Sequence, residues 1–199
     1  MASTTLRDLS GFDNSPSKLG SSVLIMIDFQ NTYRTGVMKL EGAEEAVAAG
    51  ARLLERARDL GSTVIHVQHN GGKGSPYDIN EEIGRISQEV APMPGESIVV
   101  KQFPNAFHDT DLLKLLARAG PEKDLVIAGF MTHMCVTFTS EGAFNHGYRA
   151  TVVADTTATR SLASPDGSVV SAAALKSSSL TTISDMFGVV VASADALPD

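Results

Sequence analysis

The chain has 199 residues, enough for one domain with a sizeable core, and its 43% apolar and 20% charged residues are an ordinary globular balance. A formal net charge of −7, with no block of like charges, argues against nucleic acid or an anionic membrane as main partner, because both need a basic face. The single cysteine, Cys135, cannot form an intramolecular disulfide, and a reducing cytoplasm is its natural home.

Residues 1–21 read as an N-terminal tail rich in Ser, Thr, Gly, Asp and Pro, with no apolar stretch behind a basic start to mark a signal peptide. One domain is expected over 22–199. The run VLIMID (23–28) reads as the first strand and is far too short to span a bilayer. Ala43 to Leu60 follows as a helix, with Val47, Leu53, Leu54 and Ala57 at helical spacing and Gly61 as its stop. TVIHV (63–67) and SIVVK (97–101) are the next strands. The intervening Asn70–Pro94 loop, with Gly71, Gly72, Gly74, Pro76, Pro92 and Pro94, has a length and composition that suit a functional flap or a subunit contact, with a short helix inside 80–90. A helix capped by Asp109 or Thr110 carries Leu112, Leu113, Leu115 and Leu116 and ends at Gly120. DLVIAGF (124–130) is the fourth strand, Cys135 to His146 a helix, ATVVAD (150–155) the fifth strand, Gly167 to Met186 the last helix and VVVA (189–192) the sixth strand.

Strands that are apolar throughout are covered on both faces, which is the mark of a parallel sheet between helices. The expected fold is a three-layer α/β/α sandwich with a six-stranded, mainly parallel sheet in the order 3-2-1-4-5-6. Ligands in such sheets sit at the carboxyl ends of the strands. Asp28 ends the first strand, Lys101 ends the third, and Cys135 follows the fourth at a helix start. Each alone has a plain structural reading as a cap, a solvated lysine or a small buried residue. Together they supply the parts of a hydrolase. The helix N-terminus favours a thiolate, the carboxylate can accept the thiol proton, and the lysine can steady developing charge.

AGFMTHMCV (128–136), VLIMIDFQ (23–30) and VVKQFPNAF (99–107) resemble, in this order, the nucleophile, general-base and lysine segments of the isochorismatase-like cysteine hydrolases. The resemblance covers about residues 22–193. It implies that Asp28, Lys101 and Cys135 form a catalytic triad, that Asp28 deprotonates Cys135, and that the thiolate attacks an amide carbonyl to give a thioester. It further implies an oxyanion hole of the Met131 and Cys135 backbone N–H groups, shaped by a cis Phe130–Met131 peptide. Family members commonly assemble, so a homodimer or homotetramer is expected.

Phe29, Phe103 and Phe107 are candidates for an apolar wall over the triad, Gln30 and Asn31 for polar contacts or backbone bonding, and His133 for substrate contact. Metal-dependent nicotinamidases of the family carry an Asp-x-His pair after the second strand. Here that segment is HVQHN (66–70), so neither a metal nor any other cofactor is expected, with the roles of His66 and His69 left open. The glycines at 71, 72 and 74 match no phosphate-loop spacing. Only Arg34 lies near a triad motif, so the expected substrate is a small, neutral or weakly charged amide or lactam with an apolar portion. The alternatives are an isochorismatase-type vinyl-ether hydrolase, which keeps the Asp and Lys but not the Cys, and a non-catalytic oligomeric binding protein.

Overall fold

The computed structural model describes residues 2–120 and 124–199. Its elements in chain order are α1 (Leu6–Leu9), β1 (Val23–Ile27), α2 (Ala43–Asp59), β2 (Thr63–His69), β3 (Ser97–Lys101), α3 (Leu112–Ala119), β4 (Asp124–Phe130), α4 (Thr137–Asn145), β5 (Arg149–Ala158), β6 (Leu162–Ala163), β7 (Val169–Val170), α5 (Ala172–Thr182) and β8 (Gly188–Val191). Six strands form one all-parallel sheet in the order β3-β2-β1-β4-β5-β8, and β6 and β7 form a small antiparallel pair. The order matches the sequence reading, with β8 as the sixth strand.

The pleat explains the apolar runs. Leu24 and Met26 of β1 enter a core shared with Val47, Leu53 and Leu54 of α2, whereas Val23, Ile25 and Ile27 enter a second core with Leu112 and Leu116 of α3. All five β1 residues are therefore buried. Helix α2 ends as its sequence dictates, with Gly61 at φ +70° just beyond Leu60.

Four local expectations are corrected. The last helix does not begin at Gly167. That residue turns at φ +85°, the β-branched Val169 and Val170 pair with β6, and the Ser171 hydroxyl caps α5 by accepting from Ala174 N. Helix α3 begins at Leu112, with Thr110 Oγ1 accepting its N–H, while Asp109 is a turn residue at φ +54°. The segment read as a helix in 80–90 is two 3₁₀ turns, Glu82–Gly84 and Gln88–Val90. The segment read as a tail is packed down: Arg7 is buried and donates to Asp13 O and Met186 O, and Ser17 N donates to Thr151 Oγ1.

Candidate active site

The site forms where β1, β3 and β4 end. Strand β1 stops at Ile27, and Asp28 adopts φ +50°, a left-handed conformation that Asp tolerates better than most residues. Its N–H still bonds Val67 O, so the turn stays anchored to β2. Beside it, Gly129 of β4 sits at φ +130°, and a Cβ there would fall 1.9 Å from Ile27 O. Only glycine permits that approach. The next peptide, Phe130–Met131, is cis, as the family resemblance implies. The chain then winds a π-helical turn, Thr132–Val136, with Met131 O accepting from both Met134 N and Val136 N. Cys135 lies inside this turn, two residues before α4 begins, rather than at the first residue of an α-helix as expected.

Lys101 comes from β3, two strands away from β1 and thus about 10 Å across the sheet. Its stem spans that gap. Lys101 Nζ lies 2.7 Å from Asp28 Oδ2 and 3.3 Å from Cys135 Sγ. Asp28 and Lys101 are shut away from solvent, and Cys135 is 5% exposed. Burial works against the Lys101 charge, but Asp28 and Cys135 outweigh it and hold the lysine's pKa above its ordinary value. The Cys135 thiol is pushed up to about 12, by burial first and by the Asp28 carboxylate second, with Lys101 opposing. Burial and the carboxylate thus oppose the thiolate that a helix N-terminus favours, and the thiol keeps its proton beside the carboxylate that can accept it.

The other residues singled out from sequence do not converge. Phe29 is a core residue, tilted against Phe130 and so close to Gly50 of α2 that a Cβ there would fall 2.6 Å from its ring. Phe107 packs on the opposite face with Tyr148 and His146, and Phe103 is half exposed against His108. The three rings make no common wall: Phe29 belongs to one core, Phe107 to the other, and Phe103 faces solvent. Asn31 is committed to the 82–87 segment, donating to Glu82 O and accepting from Ser87 Oγ. Gln30 clamps the His69 backbone at both N–H and C=O and also donates to Gly84 O. Arg34 is engaged by Glu44 and Glu89. His133 Nδ1 lies 2.5 Å from Thr159 Oγ1 at the site margin.

Three residues reach the site that sequence reasoning did not assign to it. Strand β2 runs two residues past its apolar core, and this brings His69 Nδ1 to 3.2 Å from Lys101 Nζ. Tyr77, from the long Gly/Pro-rich loop, packs edge-on against both His69 and Tyr33 and lies in the field of Asp28 and Cys135. Arg160 follows β5. Its guanidinium lies within electrostatic reach of His133 and Tyr77, and its Nε is buried with no hydrogen-bond partner among the described residues. Composition and length had marked the Tyr77 loop as functional, but nothing local to Arg160 announces its destination.

The isochorismatase domain family matches residues 22–195, which is most of the chain. The chain belongs to the isochorismatase family. A crystal structure described as an isochorismatase from Pseudomonas putida KT2440 superposes with a TM-score of 0.94 at 40% identity, covering 98% of this chain and 100% of that one. The secreted isochorismatase effector Isc1 of Verticillium dahliae is 31% identical over 193 residues, 96% of this chain and 98% of that protein. Maleamate amidohydrolase of Pseudomonas putida is 33% identical over 160 residues, 72% of each chain.

In this isochorismatase-family hydrolase the two histidines left open by the sequence are both engaged. His66 Nε2 lies 2.9 Å from Glu96 Oε2, and His69 faces Lys101. Among the described residues no group of three or more His, Cys, Asp or Glu side chains is placed to hold a metal ion. Nor is any helix there long and apolar enough to cross a membrane.

Proposed function

We propose that this hydrolase cleaves a C–N bond of a small amide or lactam through a thioester on Cys135. The observation that carries the reading is the shared ammonium: Lys101 Nζ holds the Asp28 carboxylate at 2.7 Å and the thiol at 3.3 Å in one solvent-free cluster. Because the thiol rests protonated, proton transfer to Asp28 accompanies attack of Sγ on the substrate carbonyl. The Met131 and Cys135 N–H groups receive the developing oxyanion. Asp28 returns the proton to the departing nitrogen, and ammonia or an amine leaves. Asp28 then takes a proton from water as it attacks the thioester, the acid product leaves, and the thiol is restored.

Arg160 refines the substrate. An arginine whose Nε is buried and unbonded at the site margin suits a carboxylate on the substrate. We therefore replace the neutral or weakly charged amide with an apolar portion expected from sequence with a small amide bearing a carboxylate, a class to which maleamate belongs. The test is a panel of maleamate, nicotinamide, ureido acids and cyclic lactams, followed by Cys135→Ala and Cys135→Ser on whichever member turns over. Both variants should lose about 10³-fold or more in kcat while remaining folded. Undiminished turnover in either folded variant overturns the thioester route. We also propose a homodimer or homotetramer, and a monomeric sedimentation profile at micromolar concentration would reject it.

A further inference from the structure

Lysine carries three N–H donors, and three groups stand within reach of Lys101 Nζ. Two are the Asp28 carboxylate and the Cys135 sulfur. The third is His69 Nδ1, at 3.2 Å. A ring nitrogen can accept from an ammonium only if it carries no proton, so His69 must be neutral with its proton on Nε2. The ring is held in place for this task. Gln30, itself fully buried, clamps the His69 backbone from both sides at 2.9 Å, and Tyr77 packs edge-on against the imidazole with ring centres 4.8 Å apart. Register adds to this, since His69 of β2 pairs directly with Lys101 of β3.

We propose that His69 is a positioning residue that acts through Lys101: its unprotonated Nδ1 fixes the third N–H of the ammonium, and so aims the other two at Asp28 and Cys135. This rests on the triad reading above, but its geometry can be tested apart from it. The groups facing the ring are Lys101, Asp28 and Tyr77. Burial first and the Lys101 charge second keep His69 below its ordinary pKa, while Asp28 pulls the other way. Protonation of His69 would set an N–H against an ammonium and swing Lys101 out of line. Turnover should therefore carry an acid limb that belongs to His69.

The direct test is NMR of the imidazole in the free protein. Ring ¹⁵N and ¹³C shifts should report the Nε2–H tautomer at neutral pH and a titration below the usual histidine range. Lys101→Met should move that titration upward. An Nδ1–H tautomer, or a titration indifferent to Lys101→Met in a folded variant, overturns the proposal whatever the reaction proves to be. The kinetic test compares His69→Asn, whose amide oxygen can accept, with His69→Leu, which cannot. Leu should lower kcat about 10- to 100-fold with little change in KM, the scale of one hydrogen bond to a charged group. Asn should recover most of that loss and abolish the acid limb. Equal kcat and unchanged pH profiles in both folded variants would reject a positioning role. Loss of turnover in Cys135→Ala with intact His69–Lys101 coupling keeps both readings, whereas retained turnover there removes the thioester and leaves the coupling to stand or fall on NMR.

Discussion

Asp28 and Glu96 are both carboxylates largely withdrawn from water, and both face a cation. Glu96 is saturated: Arg58 donates through Nε and Nη2, both at 2.8 Å, Met93 N adds a third bond at 2.8 Å, and His66 Nε2 lies at 2.9 Å. Burial opposes its charge, but these donors pull its pKa down to about 2. Asp28 has one cation, Lys101, which it shares with a thiol and a histidine. A structural ion cluster uses all the capacity of its carboxylate. In the proposed mechanism Asp28 needs that capacity for a proton that comes and goes, and the neighbouring thiol is pushed up to about 12.

Asp28→Asn gives the largest expected effect and the sharpest contrast. Hydrolysis should fall about 10³-fold or more, because the base and nucleophile act as a unit. The thiol should respond in the opposite sense. Removing the carboxylate removes a cause that raises the Cys135 pKa and leaves the Lys101 ammonium 3.3 Å from sulfur. Alkylation by iodoacetamide follows the thiolate fraction, so at fixed pH between 7 and 9 it should speed up about tenfold for each unit by which the pKa declines. Cys135 is the only cysteine, so the signal is unambiguous. A wild-type thiol that alkylates with a midpoint near 9, unchanged by Asp28→Asn, would erase the difference between the two clusters.

How much of this was legible beforehand depends on whether a residue's place is set by its own strand. The sheet order and the places of Asp28 and Lys101 at strand ends could be read because apolar runs and the polar residues that end them are local signals. Which way a side chain points beyond a strand end is not local. Phe29 and Phe107 look equivalent in sequence, yet one meets Gly50 and the other Tyr148 across the sheet. His69 lay beyond the apolar run of β2, and Arg160 reaches the site only because β5 continues past a bulge to Ala158. The β6–β7 pair was hidden because Gly167 and the following serine and valines fit either a helix start or a tight turn.

Arg160→Gln should have an intermediate effect. It should lower kcat/KM for carboxylated amides about 10- to 100-fold and leave matched neutral amides within about threefold, since only the former lose a charge-assisted bond. Equal losses for both classes would show that Arg160 supports the fold around His133 and Thr159 instead. Arg34, already bound to Glu44 and Glu89, should not discriminate between the two classes when changed to Gln.

The smallest effect on catalysis, and the one that tests the other half of the comparison, belongs to Glu96→Gln. Turnover should stay within about twofold, because Glu96 meets Arg58, Met93 and His66 and no triad atom. Stability should change instead, and with a definite pH sign. The folded pKa of Glu96 is depressed to about 2 from an ordinary 4.5, so the unfolded chain binds the proton more readily. Its contribution is present in full above pH 4.5 and is lost as pH falls toward 2. His66 acts in the same direction. Burial lowers its pKa below 6.5, so acid protonates the unfolded chain first. With a side chain 13% exposed, Glu96 is only weakly screened, and the wild type should exceed the variant by about 2 kcal/mol at pH 7 in urea unfolding. That gap should close between pH 4.5 and 2. A gap that persists unchanged to pH 2 would mean that shape, not charge, makes the Glu96 cluster structural, and the contrast with Asp28 would then rest on packing alone.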